Sequence, residues 1–200
     1  MKHDQHDRTL TPLAPQDPFG LFYTWWRGDP LPALPDVAGL SIEPVTGERV
    51  HEVVIQLDVS EIEERANEGH QLYAASVAGE VVGWGFSATS TAAIGEHGIT
   101  VVLPAGNRYL WDFVTVPEWR GRGIYPHMLQ AIIAHERDVE QFWVGHDFSN
   151  VASGRGILRS GFHLVGKLYP VHEGGFVLVS IDDPERTRIG ASILGVPASM

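Results

Sequence analysis

The stretch TVPEWRGRGIYPHMLQAII, residues 115–133, sets two arginines and two glycines between an apolar extended run and an apolar helical one. Gly121 and Gly123 remove side chains where backbone amides can converge, and a helix that follows begins with unpaired N–H groups and the positive end of its dipole. Arg120 and Arg122 add guanidinium forks that match phosphate oxygens. Residues of these types at this spacing point to an anion site; the plainer alternative is a strand-to-helix turn with solvated arginines. Two familiar phosphate loops fit poorly. A dinucleotide fingerprint needs a third glycine where Pro126 stands, and no G-x-x-x-x-G-K-S/T occurs.

Other chemistry is limited by what the chain lacks. It has no cysteine, which removes disulfides, thiolate metal sites and cysteine nucleophiles. Its ten histidines do not assemble a zinc motif: AHERD at 134–138 begins like H-E-x-x-H, but Val139 is not histidine. No G-x-S-x-G elbow supports a serine hydrolase, and no metal is expected.

The turn must be held by elements legible in the pattern. YLWDFVTV (109–116) reads as a strand stopped by Pro117. Ile124, Met128, Leu129, Ile132 and Ile133 recur at three- and four-residue spacing, which makes 123–137 an amphipathic helix. QFWVGHD (141–147) reads as the next strand. SNVASGRGILRS reads as a short glycine-weakened helix ended at Gly161-Phe162, and HLVGKLYPV with GGFVLVSI as a final hairpin. Upstream, SIEPV is a short strand, 47–68 has loose helical spacing, and 72–79 with 80–94 form a hairpin around Gly79-Glu80. Residues 95–108 form a connection with a short strand at ITVVL. The order predicts an α/β or α+β layer built on a mixed sheet.

Ahead of these lies FGLFYTWWRGDPLPALPDVAGL, whose crowded aromatics must be covered by the domain, a cleft or a partner. Arg27-Gly28-Asp29 reads as a turn. The boundaries expected are a mobile arm at 1–18, an aromatic and proline-rich extension at 19–40, a domain at 41–182 and a tail at 183–200. The formal charge of -11 argues against nucleic acid or an anionic membrane as partner, since phosphate contacts need a basic face. With no signal peptide and no apolar run of roughly 18 residues, the expected location is the cytoplasm.

VPEWRGRGIYPHML resembles the acetyl-CoA-binding motif of the GCN5-related N-acetyltransferases, R/Q-x-x-G-x-G/A after a strand. Arg120 holds the first position and Gly123 the fourth; Tyr125 takes the sixth, usually glycine or alanine, and Pro126 follows. A second match is Asn150, Ser153 three later, and Gly161-Phe162. The resemblance covers roughly residues 70–180. It implies a mixed, mostly antiparallel sheet of about six to seven strands, flanked by helices and splayed between its fourth and fifth strands, with YLWDFVTV as the fourth and QFWVGHD as the fifth. By the same resemblance, acetyl-CoA is the acyl donor and an amine the acceptor. Phe113, Val114 and Thr115 would pair with the pantetheine arm. Within a cofactor-binding turn of Arg120, Gly121, Arg122, Gly123, Ile124 and Tyr125, the amides of Arg122, Gly123 and Tyr125 would hold the pyrophosphate, and Asn150 and Ser153 would steady the arm. Many relatives are dimers, which leaves a homodimer open.

Acyl transfer needs a base for the amine and, in many relatives, an acid for the departing thiolate. The family often places that acid on a tyrosine seven residues after the asparagine; here Ile157 stands there. The absence favours, as an alternative, a noncatalytic acyl-CoA-binding or sensing module. For a base, His146 shares a strand face with Phe142 and Val144 near the splay, and histidine titrates near neutrality. Asp112 lies mid-strand, where a carboxylate needs a partner or a function. Glu96 and His97 are weaker candidates, and Glu118 should face solvent.

Overall fold

A computed structural model describes residues 17–47, 49–53, 59–94, 98–172 and 174–200. Glu96, His97 and nearly all of the expected arm lie outside the described residues. The strands are β1 Gly20–Trp26, β2 Leu40–Val45, β3 Gln71–Val77, β4 Glu80–Ala88, β5 Thr91–Ile94, β6 Ile99–Val102, β7 Asn107–Thr115, β8 Gln141–Asp147, β9 His163–Pro170, β10 Phe176–Ser180 and β11 Ala198–Ser199. The helices are α1 Arg49–Val53, α2 Val59–Asn67, α3 Ile124–His135, α4 Val151–Arg159 and α5 Pro184–Leu194.

Nine strands form one sheet in the order β11-β10-β9-β1-β8-β7-β4-β3-β2; β5 and β6 form a separate hairpin. Pairing is antiparallel except at β7–β8 and β10–β11. The sheet exceeds the six to seven strands expected because β1 and β11 join it. The segment 19–40, expected as an extension before a domain starting at 41, thus supplies an interior strand. The expected tail at 183–200 supplies α5 and β11.

β1 is interior because both of its faces are apolar. Tyr23 and Trp25 enter the core beneath α3 and α4, with Leu110, Phe142, Val144, Met128, Leu129 and Ile157. Phe22 points the other way, into a second core with Trp143, Tyr109 and the α5 residues Ile193 and Leu194. A third core lies under α1 and α2, where Val53 and Ile62 meet Leu72, Trp84 and Phe86. Between the aromatics, fully buried Thr24 satisfies its hydroxyl by donating to the Phe142 carbonyl at 2.9 Å. After β1 the chain turns at Arg27-Gly28-Asp29, as expected, with Gly28 at φ 103°. Asp29 then accepts two 2.8 Å hydrogen bonds from Arg186 of α5, whose guanidinium also lies 4.5 Å over the Trp26 ring.

Candidate active site

The parallel pair β7–β8 is short. Asn107–Leu110 is in register with Gln141–Val144, and past those residues the two strands separate. Each keeps its outer neighbour: β7 stays paired with β4 as far as Thr115, and β8 stays paired with β1 as far as Asp147. The expected splay is therefore present. Its local cause is a bulge in β7, where the register against β4 shifts and Asp112 takes φ 52°, a left-handed conformation that is costly for a residue with a Cβ. Gly85 on β4 makes room for the bulge, since a side chain there would overlap the Phe113 ring.

The gap opens into two clefts. The first, of about 710 Å³, lies over the arginine-glycine turn and is lined by every predicted cofactor residue except Arg122. The turn runs from a single 3-10 turn at Pro117–Trp119 to Gly123, which caps α3 at φ 88°. No side chain caps this end of α3, so its first-turn amides are available to a ligand. His127 Nδ1 donates to the Gly123 carbonyl at 2.7 Å, which fixes the peptide from behind. The two arginines of the turn are used differently. Arg120 reaches back to the Thr115 carbonyl at 3.0 Å, whereas Arg122 lies 4.7 Å over the Trp119 ring. Across the cleft, Asn150 caps α4 by accepting from the Ser153 amide at 3.1 Å.

The sequence reading missed Arg155 and Arg159, which line the same cleft. Their four-residue spacing on a helix capped by Asn150 was a usable signal. With them, this part of an acidic molecule becomes markedly cationic.

The second cleft, of about 670 Å³, lies on the other side of the splay, between β7, β8 and the start of β1. Both predicted base candidates line it. Asp112 has the partner its position demanded: its Oδ2 accepts from Arg65 Nη1 at 2.6 Å, and Arg65 Nη2 donates to Glu61 at 2.6 Å. The Arg65 guanidinium is held over Phe86 and Trp111 at 4.6 and 4.4 Å. Asp112→Ala should cost about 1–3 kcal/mol, because it removes one of the two carboxylates paired with a buried guanidinium while the strained φ stays. Asp112→Gly should cost roughly 1 kcal/mol less, since glycine adopts that φ freely. Urea unfolding of the two variants checks the order.

His146 has both ring nitrogens engaged. Its Nδ1 donates to the Asp147 carbonyl at 2.7 Å, which leaves Nε2 to accept from the Tyr23 hydroxyl at 3.0 Å. The Tyr23 and His146 rings also stack, 5.4 Å apart. Gly154 of α4 permits this, since a Cβ there would lie 2.7 Å from Nε2. Tyr23 escaped the sequence reading because it lies on the unrecognised strand.

Burial pushes the Tyr23 phenol up to about 12 from its ordinary 10.0. Unfolded phenol ionises near 10 and the folded one near 12, so the folded state binds more protons in that window. The stabilisation is complete below pH 10 and is lost as pH rises through 12. Tyr73, Tyr109 and Tyr125 are shifted in the same direction, also mainly by burial. Alkaline titration followed by tyrosinate absorbance and circular dichroism should show late ionisation joined to unfolding.

The fold has counterparts among solved structures. One is an acetyltransferase of the GNAT family from Colwellia psychrerythraea, with TM-score 0.50 and 14% identity over 74% of this chain and 53% of that one. A second is a GCN5-related N-acetyltransferase from Sphaerobacter thermophilus, with TM-score 0.52 and 18% identity over 74% and 49%. A third is an aminoglycoside acetyltransferase solved with coenzyme A and kanamycin, with TM-score 0.50 and 16% identity over 68% and 91%. The chain spans about half the length of the first two. No family model and no curated protein matches the sequence. The fold is that of the GCN5-related N-acetyltransferases.

No group of potential metal ligands gathers among the described residues, and no helix among them is long and apolar enough to cross a membrane.

Proposed function

We propose that the protein is an acyl-CoA-dependent N-acyltransferase that passes an acetyl group from acetyl-CoA to an amine of a small molecule or peptide, by direct attack within a ternary complex. The observation that carries this reading is the continuity of the two clefts through the splay. A cationic, amide-rich turn opens on one side and a carboxylate-bearing, aromatic cleft on the other, with unpaired β7 edge between them.

The residues fit the donor. Gly121, Gly123, Ile124 and Tyr125 offer backbone to the pyrophosphate, where the positive end of α3 adds to its attraction. The edge of β7 at Phe113, Val114 and Thr115 lacks a strand partner toward β8, so the amide-bearing pantetheine arm can pair there as a strand would. Asn150 and Ser153 face it from α4, and Arg120, Arg155 and Arg159 supply charge to the remaining phosphate. On the acceptor side, Asp112, Glu61 and Asp147 outnumber Arg65, which suits a cationic amine. His146 is the nearest candidate base on β8, and it would have to exchange one of its two hydrogen bonds to take a proton.

One feature favours the rival reading, a module that binds acyl-CoA without turnover. Ile157 is fully buried in the core beneath α3 and α4 and gives that helix position no proton donor. Thiol release separates the two. A transferase liberates free CoA thiol only when acetyl-CoA and an amine are both present, whereas binding without release across a panel of mono- and polyamines supports the module.

A further inference from the structure

Expulsion of a thiolate calls for a proton where the donor half of the cleft meets the acceptor half. Phe113, Tyr125, Asn150 and Ser153 line both halves. Phe113 has no exchangeable proton, and Asn150 is committed to capping α4. That leaves the Tyr125 phenol and the Ser153 hydroxyl, of which only the phenol is carried on a ring held by packing from both sides.

The structure also shows a place built for this ring. Tyr125 leans across from α3 onto α4, where Gly156 clears the way: a Cβ at 156 would lie 2.7 Å from Tyr125 Cδ1. On its other side the ring packs against Phe113 with centroids 5.1 Å apart. Gly154 and Gly156, which weaken α4 as a helix, thus each accommodate one functional ring, His146 and Tyr125. Burial, with a smaller contribution from Tyr109 and Tyr23, raises the phenol's proton affinity, so it keeps its proton at neutral pH.

Resting on the transferase reading, we propose that Tyr125 is the catalytic acid of this protein, its hydroxyl on α3 taking the part that Ile157 cannot play on α4. As the amine nitrogen bonds to the thioester carbon and the C–S bond breaks, sulfur takes the Tyr125 proton. The phenolate then takes the proton released by the nitrogen, now cationic after attack, which leaves amide, free thiol and neutral Tyr125. The phenol's raised proton affinity opposes the first transfer and suits the second, so the two proceed together.

The test is an equilibrium measurement that needs no knowledge of the acceptor. Bound CoA is titrated by its thiolate ultraviolet absorbance, with the desulfo-CoA complex subtracted to remove tyrosinate. A hydroxyl donating to sulfur favours the thiolate, so the wild-type complex should ionise about one pH unit or more below free CoA. Tyr125→Phe should erase that shift while changing CoA affinity by less than about threefold, because it keeps the ring and the backbone amide. Ser153→Ala should leave the shift intact. An unchanged shift in Tyr125→Phe, or one lost only in Ser153→Ala, overturns the assignment and leaves the transferase reading in place. Failure of the wild-type protein to bind CoA overturns both.

Discussion

Gly123→Glu is expected to abolish acetyl-CoA binding. If the wild-type protein binds at micromolar strength, roughly -8 kcal/mol, calorimetry of the variant should show at least a hundredfold loss. Two effects act together. Gly123 sits at φ 88°, so any side chain strains the turn, and the new carboxylate would put a negative charge into the turn that must hold a diphosphate. Gly123→Ala separates them: it carries the strain without the charge and should weaken binding by about tenfold rather than eliminate it. Retained binding in Gly123→Glu would mean that the phosphates lie elsewhere and that the turn is only a connection.

Phe22→Ala should be the most damaging single truncation in the N-terminal region, costing about 3–5 kcal/mol of the roughly 5–15 kcal/mol available to a domain of this size. Phe22 is 3% exposed and stacks on Trp143 at 5.5 Å and on Tyr109 at 6.2 Å. The close approach of Gly190 on α5 leaves little freedom for collapse into the space vacated, since a Cβ there would lie 3.3 Å from the same ring. Leu31, which is 41% exposed, should tolerate alanine within about 0.5 kcal/mol. Urea denaturation of both variants measures the contrast, and a loss below 1 kcal/mol for Phe22→Ala would show that β1 does not hold the sheet together.

The arginine-glycine turn of the candidate site was legible because it depends on local backbone chemistry. Gly121 and Gly123 before an apolar helical stripe announce a helix N-terminus with nothing in front of it, whereas Asn150 and Ser153 on the facing helix were reached only through the family resemblance. Other features were hidden because they arise from contacts distant in sequence. GLFYTWW carries apolar residues on both faces, so it lacks the alternation that marks a half-buried strand. Its polar members, Thr24 and Tyr23, find partners more than a hundred positions away, at Phe142 and His146. Asp112 could be seen to need a partner, but Arg65 could not be chosen until the bulge brought the two together. The residues of α5 were passed over as a tail, although the Asp183 cap ahead of Pro184 marks a helix start.

The position of β1 has a consequence for how the molecule comes into being. Gly20 pairs with Asp147 on one side and Leu168 on the other, so the first strand of the chain joins neighbours that follow it by well over a hundred residues. Closing loops of that length is slow, and such order places the protein among high-contact-order folds. During synthesis, Phe22, Tyr23 and Trp25 leave the ribosome long before β8 and β9 exist to cover them. An aromatic cluster therefore waits exposed until β8 and β9 have been made, a natural client for a chaperone, and the sheet can close around it only then.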